Sequence, residues 1–182
     1  MAIYEPERIW WKPLSKDERL WVAVALIWML VSFIFMPIYH FLGPQNPSSE
    51  TYSVRPEDYD KLVEGMVAKY KVREENGFPV VHPNPSDPVF LRAKMWEWYP
   101  IVELEKGKTY KIHLSSMDID HGFSLQPINI NFEVLPGYDY VLTVTPTTSG
   151  EFYIVCNEFC GLGHHTMLGK MYVQETTRKV LN

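Results

Sequence analysis

The chain is expected to fold as a mainly β Greek-key sandwich or barrel preceded by one transmembrane helix. Two patterns predict this. From position 89 onward, about eight short apolar segments rich in β-branched and aromatic residues are separated by turn signals. Upstream, residues 20–42 run for 23 positions without a Lys, Arg, Asp or Glu. The length of 182 residues has room for one ordinary domain and an appendage of this kind.

Residues 1–19 read as a cytoplasmic or interfacial segment. Arg8, Lys12, Lys16 and Arg19 lie before the apolar run and nothing basic follows it until Arg55, so the amino terminus is expected to stay in the cytoplasm. The rest of the chain then lies on the periplasmic or outer side of a single-pass cytoplasmic membrane protein. A helix over 20–42 rises about 1.5 Å per residue and crosses a hydrocarbon layer of roughly 30 Å. Trp10, Trp11 and Trp21 at one end and Tyr39 at the other suit interfacial aromatic belts. A cleaved signal peptide is the competing reading, but its apolar core would be shorter, and residues 43–47 offer no small-x-small cleavage site.

Residues 43–88 read as a linker containing one helix. Pro56 suits a first helical turn and Glu57 and Asp58 its positive end, and Leu62, Val63, Met66, Val67 and Tyr70 recur at helical spacing. Residues 76–88 are rich in Pro and turn formers and read as a loop. The strand candidates of the 89–182 domain are 89–98, 101–105, 109–114, 123–125, 128–134, 138–144, 151–155 and 167–173, with turns at Gly107, Pro136-Gly137 and Ser149-Gly150.

The chemistry is concentrated in CNEFCGLGHHTM, residues 156–167, with His121 upstream in DIDHGF. Thiolate and thioether favour Cu(I) while imidazole also holds Cu(II), so a set that mixes them can serve both oxidation states. Gly161 and Gly163 allow a tight loop in which Cys156 and Cys160 converge. A mononuclear blue-copper centre needs one cysteine. Two cysteines with two histidines and a methionine are better explained by two copper ions that share both sulfurs. A disulfide is the base-rate reading of two cysteines in an exported domain, and zinc also takes Cys and His, but neither gives Met167 a role.

Cys156, Glu158, Cys160, His164 and Met167 follow a C-x-E-x-C-x-x-x-H-x-x-M pattern that resembles the dinuclear CuA centre of subunit II of haem-copper cytochrome c oxidases, and is most similar to the compact B-type (ba-type) enzymes. Asp118, Ile119, His121, Gly122 and Phe123 resemble that family's D-V-x-H-G-F segment. The resemblance implies a cupredoxin-like fold in which Cys156 and Cys160 bridge two coppers and His121 and His164 cap them. It implies Met167 and the Glu158 carbonyl as weak ligands, and leaves His165 exposed or outside the ligand set. It also implies that cytochrome c delivers electrons which pass to haem in subunit I, where oxygen is reduced to water and protons are pumped.

MWEWYP, residues 95–100, resembles the Q-W-x-W-x-Y strand of larger oxidases, with Met95 in place of glutamine. Trp96, with Trp98 beside it, is therefore a candidate for electron input, although packing explains both rings equally well. As two residues of one strand they are expected on the same face. In larger relatives the residue equivalent to Glu158 binds magnesium, so magnesium at Glu158 is a further expectation beside that of a solvated carboxylate.

A net charge of −5, carried by the region after residue 19, argues against nucleic acid and suits a basic protein donor. Subunit I and other membrane subunits, cytochrome c and the bilayer are the expected partners. A nitric oxide reductase subunit shares the site and stays open as an alternative. A copper-delivery or thiol-redox protein is a second one, although C-x-x-x-C here lacks the strand-helix setting of thioredoxin-type motifs.

Overall fold

The computed structural model describes residues 13–42, 50–128 and 130–175. The chain divides into two compact units, Met1–Gln45 and Asn46–Asn182.

The first unit contains helix α1, Lys16–Leu42, which starts four residues before the uncharged run. Its start is set by a reciprocal cap: the Ser15 N–H donates to Glu18 Oε2 at 2.6 Å and the Glu18 N–H to Ser15 Oγ at 3.2 Å. Asp17 and Glu18 also face the positive end of the helix dipole. Every side chain of α1 is exposed, so this apolar helix is a candidate membrane span rather than part of a water-soluble core. Trp10, Trp11, Arg8 and Lys12 lie outside the described residues.

The second unit is a two-sheet sandwich. One sheet has the order β1 (Glu50–Ser53), β10 (Tyr138–Val144), β7 (Tyr110–Ser116), β4 (Val89–Lys94), β5 (Glu97–Tyr99). The other runs β2 (Lys71–Glu75), β3 (Phe78–Val81), β6 (Ile101–Glu105), β12 (Leu168–Gln174), β11 (Gly150–Cys156), β8 (His121–Gln126), β9 (Ile130–Val134). β4 pairs with β7, and β6 with β3 and β12, in parallel, while the other strand neighbours are antiparallel. Leu91, Leu104, Ile112, Leu114, Phe123 and Ile154 fill the space between the sheets.

Helix α2, Pro56–Tyr70, forms where the helical spacing predicts it, and of the predicted stripe only Leu62 lies on the exposed side. Tyr59, Val63, Met66 and Val67 are buried on the face that packs on β4, and Leu62 sits at the edge of that face and is exposed. The Tyr59 hydroxyl donates to the Leu91 carbonyl at 3.1 Å and its ring meets Phe90 edge-on at 5.7 Å. Arg92 on β4 reaches back to Asp60 and Glu64.

Three strands were not expected. The region read as a linker supplies β1 and the β2–β3 hairpin, whose turn is Asn76-Gly77 with φ of 50° and 84°. Asn-Gly at positive φ is the preferred two-residue hairpin turn, so a signal was present. The segment 89–98 is a hairpin and not one strand: β4 ends at Lys94, Met95 and Trp96 make the turn, and β5 returns along β4 with Lys94 opposite Glu97. Trp96 and Trp98 therefore do not share a strand face.

Candidate metal centre

Cys156 ends β11, Leu168 opens β12, and eleven residues between them form the ligand loop. Because β11 and β12 are antiparallel neighbours, with Val155 opposite Leu168, the loop returns to where it began. Its base is closed by the Cys156 N–H donating to the Met167 carbonyl at 3.2 Å. It is tied to β8 by the Asn157 N–H donating to the Gly122 carbonyl, also at 3.2 Å. A short 3₁₀ turn, His164–Thr166, then carries the chain from Gly163 to Met167. Gly161 has φ +103°, a conformation that residues with a Cβ avoid. At Gly122 a Cβ would lie 2.7 Å from the Glu158 backbone nitrogen, so only glycine lets β8 approach the loop this closely.

These constraints gather the predicted donors. Cys156 Sγ and Cys160 Sγ are 3.7 Å apart, far beyond a disulfide bond, and both thiols are free. His121 Nδ1 lies 3.9 Å from Cys156 Sγ, and His164 Nδ1 lies 3.5 Å from Cys160 Sγ. Met167 Sδ is 3.7 Å from Cys160 Sγ, and the Glu158 carbonyl oxygen is 3.3 Å from Cys156 Sγ. His121, Cys160, Met167 and Cys156 are buried, while His164 is half-buried and His165 exposed.

Burial, followed by the neighbouring Cys156 thiol, pushes the Cys160 thiol up to about 11. In such surroundings a thiolate needs a cation beside it, and a bound metal supplies one as it releases the proton. A buried set of two thiols, two imidazoles, a thioether and a carbonyl fits a soft metal. The His121, Cys156 and Cys160 ligand atoms all lie within 4.8 Å of one another, a cluster compatible with copper.

The carboxylate of Asp118 lies beside this cluster and contacts His121 Nε2 at 2.8 Å. Sequence reasoning assigned Asp118 no role, although its place three residues before a candidate ligand histidine was a usable signal. The Glu158 side chain is exposed and joins no group of metal-binding side chains among the described residues.

The two tryptophans separate sharply. Trp98 is 3% exposed and packs edge-on against Phe123 at 5.6 Å and His121 at 6.4 Å. Trp96 is 42% exposed, and its indole N–H donates to the Cys160 carbonyl at 3.0 Å. A Cβ on Gly163 would fall 2.3 Å from the Trp96 ring, so this glycine makes the seat for the indole. A cavity of about 420 Å³ lined by Leu125, Ile130, Phe152 and Met171 contains none of the candidate ligands.

Two sheets closing over a buried His/Cys/Cys cluster define a cupredoxin-like protein with a candidate copper site. Fold comparison agrees. A chain of a haem-copper terminal oxidase dimer aligns over 87% of this chain and all of its own, with TM-score 0.56 and 23% identity. A rusticyanin variant aligns over 70% of this chain and 99% of its own, with TM-score 0.53 and 15% identity.

Residues 93–173 match the family model for the cytochrome c oxidase subunit II periplasmic domain. The chain is also 40% identical over 171 residues to the cytochrome c oxidase subunit 2 of Thermus thermophilus, covering 90% of this chain and 95% of the relative. This chain belongs to the cytochrome c oxidase subunit II family. Membership makes it a subunit of a cytochrome c oxidase.

Proposed function

We propose that this chain accepts electrons from a cytochrome c at a dinuclear copper centre and passes them to haem in subunit I, where oxygen is reduced with proton pumping. The observation that carries the reading is the convergence of two buried thiols, 3.7 Å apart, with imidazole nitrogens approaching both of them. Cys156 and Cys160 would hold both coppers as bridging ligands, His121 and His164 would cap them, and Met167 and the Glu158 carbonyl would be weak ligands. Copper held there would supply a one-electron couple. The protein's part is to hold the donors still: the paired strands β11 and β12 on either side and the backbone bonds at the loop base resist rearrangement between oxidation states.

The orientation rests on the basic residues ahead of the uncharged run 20–42, Arg8, Lys12, Lys16 and Arg19, which favour a cytoplasmic amino terminus and a copper domain outside. The full-length chain, loaded with copper in detergent, is expected to be purple, with a paramagnetic spectrum of one electron shared over two ions. A colourless product, or the spectrum of a lone copper, would exclude the proposal.

Trp96 is the proposed point of electron input. It is exposed, and a single hydrogen bond links its ring to the backbone of a bridging cysteine. Trp96→Phe keeps a ring against Gly163 but removes the N–H. The expected result is slower reduction by cytochrome c with the copper spectrum retained; donor kinetics equal to those of the parent would rule the input role out. Trp98, buried against His121 and Phe123, is assigned to packing behind the site.

A further inference from the structure

We propose that Asp118 is a two-handed positioning residue, one that turns His121 toward the sulfurs and at the same time pins the Met95-Trp96 turn against the ligand loop. The inference rests on the copper reading above and goes beyond it, since it assigns the alignment of the ligand and of the electron-input turn to one carboxylate that is not itself a ligand.

The first hand is Oδ1, which lies 2.8 Å from His121 Nε2 and accepts the Ile119 N–H at 2.8 Å. An ionised carboxylate only accepts hydrogen bonds, so the Nε2 facing it carries a proton, and Nδ1, on the Cys156 side, is the nitrogen turned toward the sulfurs. A ligand histidine commonly has its tautomer and ring orientation set in this way. His121 is fully buried and the Asp118 side chain only 19% exposed, so water competes weakly for the contact.

The second hand is Oδ2, which accepts the Met95 N–H at 2.8 Å across 23 residues of sequence. The Met117 N–H donates to the Ala93 carbonyl at 2.9 Å and holds the same two segments in register one step earlier. Trp96 follows Met95 directly, and its indole N–H meets the Cys160 carbonyl. The turn is thus held from both sides, by Asp118 at its backbone and by the ligand loop at its ring.

Two variants of the full chain in detergent separate the hands. In Asp118→Asn the amide oxygen is expected to stay where two donors converge, on His121 and Ile119, and the NH₂ then faces the Met95 N–H. In the metal-free protein, hydrogen exchange of the Met95 amide should accelerate at least tenfold, while nitrogen NMR still shows the proton on His121 Nε2. Copper affinity, measured by chelator competition, should remain within a few-fold of the parent. Asp118→Ala removes both hands: Met95 exchange accelerates, the defined Nε2–H tautomer is lost, and copper affinity falls about 10- to 100-fold.

Unchanged amide exchange across β11 and β12 would show that the fold survives. A merely structural role would leave the His121 tautomer in place. An alanine variant that keeps the tautomer, the copper affinity or the slow Met95 exchange overturns the proposal. A parent chain that takes up no copper would defeat the copper reading alone, since the metal-free measurements still judge Asp118.

Discussion

Replacing Cys160 by serine is expected to abolish the two-copper spectrum outright. Its sulfur meets three other donors, 3.7 Å from Cys156 Sγ, 3.5 Å from His164 Nδ1 and 3.7 Å from Met167 Sδ. A serine hydroxyl stays protonated near neutral pH and is a hard, weak ligand for copper, so a donor shared by two ions would vanish. Copper content should fall from two ions per chain to at most one. The remaining colour should be that of a mononuclear centre with one thiolate. Cys156→Ser should behave alike, because both sulfurs are proposed as bridges.

The fold should survive either change. The new hydroxyl is buried, and leaving it without a partner costs about 1–3 kcal/mol, a loss that a domain of this size can bear. Metal analysis together with the paramagnetic spectrum checks the prediction. Retention of two coppers and of their shared electron in the Cys160→Ser chain would show that this sulfur is not a bridge.

The largest stability effect is expected away from the copper. Tyr59→Ala should destabilise the β-sandwich by about 3–5 kcal/mol, the range for truncating a large buried aromatic. Tyr59 is fully buried between α2 and β4, its ring meets Phe90 edge-on, and its hydroxyl serves the Leu91 carbonyl. Burial also holds its phenol well above the usual tyrosine range, so it stays neutral and remains a donor. Tyr59→Phe keeps the ring and loses only the hydrogen bond, a change of about 1 kcal/mol. Denaturant unfolding of the two variants separates packing from hydrogen bonding through the shift in midpoint. Equal, small shifts would mean that α2 contributes little to the sandwich. A large shift would show that α2 is part of the sandwich's cooperative core.

The candidate site was legible because five of its six proposed donors lie within twelve residues. A loop that short must bring them close, whatever surrounds it. The strands from β6 to β12 were legible because each is a short run rich in β-branched, aromatic or other apolar residues, set off by turn signals such as Gly107, Pro136-Gly137 and Ser149-Gly150. By contrast, β2 reads KVREE and β1 reads ETYS, and almost every residue in them is exposed or half-exposed. Such edge strands owe their form to a neighbour's backbone, and nothing in their side chains announces it. The Asn76-Gly77 turn was the one local clue to β2 and β3, and it was absorbed into a loop rich in prolines.

The sequence alone determined the ligand types, their spacing, the apolar anchor candidate and the sandwich class, since each depends on residues near one another in the chain. The tertiary structure decided what distant residues do together. It buried Trp98 and exposed Trp96, brought the Trp96 ring to a carbonyl 64 positions away, and set Asp118 between a ligand and a turn. The physical reason is that a hydrogen bond between remote segments depends on strand pairing and sheet packing, and neither is encoded in the residues that form the bond.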